Sequence, residues 1–155
     1  MKKNGLLLLL LTGLLACDTF PKDPDKTLTQ VRTGRLRVGY SDNPPWVLKT
    51  AGVPGGIEPG LIKAFAQAQD IRIEWVNDSE QDLMQQLAKR ELHLVLSGLL
   101  HTSPWSQEVS FTRPYLKRGK EKRVMGVLKG ENAFILELEK YLLSQEEKLK
   151  ASLQP

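Results

Sequence analysis

Leu36-Arg37-Val38-Gly39-Tyr40 alternates between apolar and polar positions, the period of a strand with one covered face. Upstream, Thr27 to Arg32 reads as a short helix capped by Thr27 and ended by Gly34. Downstream, Asn43-Pro44-Pro45-Trp46 breaks the strand, and Thr50-Ala51-Gly52-Val53-Pro54-Gly55-Gly56 carries enough turn formers for a hairpin or an open loop. From Pro59, the residues Leu61, Ile62, Phe65 and Ala68 recur at helical spacing, and Ile71, Ile73, Trp75 and Val76 read as the next strand. Ser79 with Asp82 three residues on resembles a capping box for a helix through Leu83, Met84 and Leu87 to about Arg90. Leu92 to Leu96 is nearly all apolar, interrupted by His93 and closed by Ser97-Gly98, as in a strand covered on both faces.

The order is therefore β, α, β, α, β, which predicts an α/β fold with a parallel-rich sheet flanked by helices and right-handed crossovers. Beyond it, Val109 to Phe111 predicts a short strand and Val124 to Leu128 a longer one. Asn132 to Lys148 predicts a helix with the apolar stripe Phe134, Ile135, Leu138, Tyr141 and Leu142. Lys117 to Arg123 is a basic run expected to be a solvated loop.

With 155 residues, 41% hydrophobic and 26% charged, the composition excludes collagenous and disordered classes and favours one folded domain. The formal charge is +4, but Lys2 and Lys3 stand at the extreme amino terminus, and without them the balance is +2. That balance is too weak to point to nucleic acid. A single cysteine, Cys17, excludes an internal disulfide and a cysteine-clustered zinc site.

Lys2 and Lys3 precede an apolar run from Leu6 to Leu15, and Leu14-Leu15-Ala16-Cys17 follows at once. The run is shorter than the ~20 residues a spanning helix needs. The segment resembles the signal peptide and lipobox of bacterial lipoproteins, which implies residues 1–16 as signal peptide and Cys17 as the lipid attachment point. Asp18 resembles the inner-membrane retention signal of enterobacterial lipoproteins. Residues 17–26, with two prolines and little to bury, read as a tether, and residues 27–150 as the folded domain.

Four short motifs stand in order: Leu36-Arg37-Val38-Gly39-Tyr40 with Pro44-Pro45-Trp46, then Gly56-Ile57-Glu58, then Leu94-Val95-Leu96-Ser97-Gly98, then Phe111-Thr112-Arg113-Pro114-Tyr115. Together they resemble the type 2 periplasmic solute-binding proteins, in the amino-acid-binding branch (extracellular solute-binding protein family 3-like). The resemblance implies a two-lobed fold in which the chain crosses to a second lobe after the Pro-Tyr segment and then returns. Here only Leu116 to Arg123 intervene before Val124-Met125-Gly126-Val127-Leu128, which resembles the return strand. The expectation is one lobe of that fold without its second. The implied role is a membrane-tethered substrate-binding module of an ABC transporter or a sensor, with a small molecule as ligand and a permease or other membrane protein as partner.

In open α/β sheets ligands lie beyond the carboxyl ends of the strands. Ser41 and Asp42 with Trp46 follow the first strand, and Ser97, Gly98, His101 and Thr102 follow the third. The hydroxyls offer hydrogen bonds, Gly98 permits close backbone approach, and Trp46 and Trp105 offer flat faces for stacking, though either tryptophan serves equally well as a packing residue. His101 on a loop is a candidate ligand contact, whereas His93 reads as a core or surface histidine. Neither has a carboxylate or thiol at ligand spacing, so no metal site is expected, and no cofactor. No nucleophile elbow or phosphate loop is present, so no enzyme is expected, although Asp42 and Glu58 stand near the rim and some two-lobed relatives are dehydratases.

Amino-acid binders share a pattern like GMTxTxxR after the third strand, whose hydroxyl and arginine hold the ligand carboxylate. Here Leu100 takes the hydroxyl position and Trp105 the arginine position, so the expected charge-assisted pair has no donor. Arg113 is the nearby guanidinium that sequence alone offers as a substitute. The alternative to solute binding is an interaction module whose bare half-cleft docks a membrane partner or a second copy in a homodimer.

Overall fold

The structure, a computed structural model, describes residues 23–153, so the apolar leader, Cys17 and Asp18 lie outside the described residues. Helix α1 spans Thr27–Thr33, with Lys26 rather than Thr27 at the N-cap position. The Asp23 carboxylate accepts from the Thr27 and Leu28 backbone N–H groups, satisfying two donors that the first turn leaves open. Strand β1 is Arg35–Tyr40, helix α2 Ile57–Ala68, strand β2 Arg72–Asn77, and helix α3 Glu80–Ala88. The Ser79 hydroxyl caps α3 by accepting from the Asp82 N–H. Strand β3 is Leu94–Leu100, a 3-10 turn covers Pro104–Gln107, and β4 is Ser110–Phe111. Strands β5 (Leu116–Arg118) and β6 (Glu121–Val127) lead to helix α4, Asn132–Ser152.

The sheet runs in the order β2-β1-β3-β6-β4, with β5 on β6. Strands β1, β2 and β3 are parallel, as the alternation of elements predicts, but β6 runs antiparallel to β3, β4 and β5. The basic run expected to be a solvated loop is instead a hairpin, with β5 and β6 paired from Leu116↔Arg123 to Arg118↔Glu121. Its turn places Gly119 at φ 59. Charged side chains hid this strand because an edge hairpin can present cations to solvent while its backbone pairs.

Strand β3 shows why the apolar run was legible. Leu94 and Leu96 face a cluster with Phe65, Phe134, Leu138 and Met125, on the side covered by α1, α2 and α4. Val95 and Leu99 face the other cluster, with Leu83, Met84, Leu87 and Val124 under α3. Each fully buried leucine or phenylalanine there contributes about 1.5–3 kcal/mol relative to exposure. Gly39 lets α3 close onto β1, since a Cβ there would stand 2.6 Å from Leu92 and 2.7 Å from Leu83. Strand β3 also extends past Ser97-Gly98, where the sequence suggests an end, with a register shift between Val95 and Leu99. That irregularity sits at the site.

Candidate functional site

From β1 the chain crosses through α2 to β2 on one side, whereas from β3 it moves on to β4 on the other. This makes the carboxyl ends of β1 and β3 the topological switch point, where open α/β sheets bind ligands. The two ends are tied by the Ser41 N–H, which donates to the Leu96 carbonyl at 3.1 Å. The Asn77 amide donates to the Tyr40 carbonyl at 3.0 Å and brings the end of β2 alongside. Ser41, Asp42, Lys49, Asn77, Asp78 and Ser79 line an open depression on this rim. Asp42 accepts from the Lys49 N–H at 2.6 Å.

Gly98 is the hub of the rim. Its φ of 64° lies in the left-handed region, and a Cβ there would come within 2.7 Å of Trp46 and 2.8 Å of Asn43, so only glycine fits. Its N–H donates to Glu58 Oε2 at 3.0 Å, and its carbonyl accepts from Arg123 Nη1 at 2.5 Å. The Asn43 amide donates to the Ser97 carbonyl at 2.7 Å, holding the loop after β1 against β3. Glu58, fully buried in the first turn of α2, also accepts from the Tyr115 hydroxyl at 2.7 Å. Burial pushes the Glu58 carboxyl up to about 7, against the opposing pull of the Tyr115 hydroxyl, the Gly98 N–H and the Arg123 charge.

Trp46 belongs to the rim but is not open, being buried with the Arg123 guanidinium stacked 4.4 Å from its ring centroid. Ser97 is buried, and its hydroxyl donates to Glu80 Oε2 at 2.7 Å. Trp105 packs beside the cluster under α3 and donates from Nε1 to Glu80 Oε1 at 2.9 Å. Glu80 thus takes the donors of two residues that the sequence suggests for a ligand. His101 and Thr102 are exposed in the turn after β3, and the His101 N–H donates to the Lys122 carbonyl. Arg113 does not join the rim. It is 85% exposed and pairs with Glu139 on α4 at 3.6 Å, in a groove along that helix.

The guanidinium at the rim is therefore Arg123, from a segment that reads as a charged loop. The strand period held the signal: Met125 and Val127 point into the core, and stepping back by two from Met125 puts Arg123 on the same face. Glu80 carries no sequence signal because its partners are remote in the chain, and Asn43, which the end of the first strand places at the rim, has its partner 54 residues away. Of the two readings, core or surface, His93 takes the core one, its Nδ1 accepting from the Arg37 N–H at 3.0 Å. Burial, with the Arg37 charge, lowers it to about 4.

Residues 36–152 match the family model of bacterial extracellular solute-binding proteins, family 3. A protein of Campylobacter jejuni described as "Probable histidine-binding protein" is 28% identical over 103 residues, covering 66% of this chain and 40% of that protein, so the chain spans less than half the length of this curated relative. Among solved structures, the arginine-bound form of domain 1 from TmArgBP superposes with a TM-score of 0.66 at 23% identity, covering 75% of this chain and 97% of that domain. An ancestral cationic amino acid solute-binding protein gives 0.68 at 14% identity over 79% of this chain and 94% of that one. An ancestral cyclohexadienyl dehydratase gives 0.68 at 12% identity, over 80% and 92%. The structural likenesses establish the fold, and the family match over most of the chain establishes the kinship: this chain belongs to the bacterial extracellular solute-binding proteins, family 3.

Proposed function

We propose that the chain is a single-lobe, periplasmic solute-binding module, tethered to the inner membrane through lipid on Cys17, that captures or senses a small ligand for a membrane partner such as an ABC-transporter permease. The observation that carries this reading is the switch-point rim, where Ser41, Asp42, Asn77 and Asp78 line an open depression beside the Gly98 hub. Binding without catalysis is the reading for this rim. Its one strongly shifted carboxyl, Glu58, is sealed in the core, out of reach of a solute. Residues 27–150 act as the binding unit, with residues 17–26 as its tether.

The direct test is thermal stabilisation of the purified protein across a panel of amino acids, polyamines, sugars and short peptides, followed by calorimetry on each hit. A saturable hit lost on Asp42→Ala supports the reading, and stabilisation by none of the panel overturns it. A second reading, docking of a membrane protein or a second copy, is favoured by the loop bordering the rim, which exposes Leu48 at 41% and Val53 at 55%. Mass measurement separates the two, since a solute module remains monomeric on loading.

A further inference from the structure

One side chain covers the flat face of Trp46 and engages the carbonyl of Gly98, a stacking surface and a backbone acceptor that would open at the rim if it moved away. Arg123 lays its guanidinium 4.4 Å from the Trp46 ring centroid and donates from Nη1 to the Gly98 carbonyl at 2.5 Å. We propose that Arg123 is a built-in occupant of the rim, displaced when the module takes a solute that carries its own planar cation, a guanidinium or amidinium without a carboxylate.

Three observations carry this. First, the guanidinium is incompletely satisfied. Nη2 meets only the exposed Glu121 carboxylate at 3.3 Å, and the buried Nε has no hydrogen-bond partner among the described residues. A planar cation with five donors that finds so few protein acceptors leaves hydrogen-bonding capacity unmet at this depth. Second, whatever replaces it must repeat its chemistry: stack on an indole, donate to a carbonyl, and bring positive charge near the buried Glu58, on which the Arg123 charge acts. Third, the rim withholds donors from an anionic group, because Glu80 takes both the Ser97 hydroxyl and the Trp105 indole N–H. A carboxylate arriving there meets a carboxylate already seated.

The inference rests on the solute-binding reading, and the experiment separates their failures. Agmatine, a guanidinium with no carboxylate, is titrated calorimetrically into the full chain and into its Arg123→Ala and Arg123→Lys variants, with butylamine as a non-planar cation. Removing an internal competitor raises the binding-competent fraction, so Arg123→Ala is expected to bind agmatine at least about tenfold more tightly than the parent chain. Arg123→Lys keeps the charge but not the planar stack, so it gains by a smaller factor, and it carries the test if the alanine variant fails to fold. Butylamine gains nothing. Equal or weaker agmatine binding in the variants overturns the proposal and makes Arg123 a structural support. A different solute that binds parent and variants alike leaves the solute-binding reading standing while this proposal falls, and no binding by any form to any of the panel removes both.

Discussion

The Tyr115 hydroxyl donates to Glu58 Oε1 at 2.7 Å across 57 residues of chain, joining the segment before β5 to the first turn of α2. Both groups are buried, and burial with the Glu58 charge keeps the phenol protonated far above its usual range. Tyr115→Phe removes a donor from a sealed carboxyl. It should destabilise the fold by about 1–3 kcal/mol in chemical denaturation at neutral pH. A loss under half that size would mean that Gly98 and Arg123 alone satisfy the carboxyl.

Two buried groups give opposite pH dependences. Glu58 is raised from 4.5 to about 7, so between those values the folded protein holds a proton the unfolded chain has released. Its stabilisation is complete below about 4.5 and is lost as pH rises through 7. His93 is lowered from 6.5 to about 4, so its stabilisation is complete above 6.5 and is lost as pH falls toward 4. In the overlap the slopes oppose each other. Relative to the parent, Glu58→Gln should show stability rising more steeply with pH from 4.5 to 6.5, and His93→Gln should show it falling. Parallel profiles for parent and both variants would refute the assignment.

Gly98→Ala should be among the most damaging single-methyl additions in the domain. The left-handed φ of 64° alone costs a non-glycine residue about 1–2 kcal/mol, and the added Cβ falls 2.7 Å from the Trp46 ring. Unfolding at a denaturant midpoint near that of the parent would show that the rim rearranges freely.

Free α-amino acids should bind the parent chain no more tightly than roughly millimolar, about 4 kcal/mol of binding free energy. Leu100 and Trp105 stand where the carboxylate-holding hydroxyl and guanidinium are expected. The Trp105 N–H is already given to Glu80. Micromolar calorimetric binding of any of the twenty would contradict this and return the chain to ordinary amino-acid capture.

Cys17→Ala should move the protein from the membrane to the soluble fraction, because attachment through acyl chains draws about 0.8 kcal/mol from each buried CH₂. Fractionation unchanged by the substitution would remove the lipid tether from the proposal.

What the sequence determined by itself was whatever depends on near neighbours and on period. The alternation of Leu36 to Tyr40, the stripe from Leu61 to Phe65 and the apolar run into Ser97-Gly98 each report a covered face, and they yielded the βαβαβ order and the strand-end rim. The Ser79 cap was readable because a cap is a contact across three residues. The tertiary structure alone decided which side chains share the rim and which of them are already engaged. Arg123 and Trp46 are 77 positions apart and meet only because β6 pairs antiparallel with β3. Glu80 reaches Ser97 and Trp105 only once α3 packs on that sheet. Local pattern sets where backbone hydrogen bonds and apolar faces go. The pairing of distant polar groups follows from strand order, which no single segment encodes.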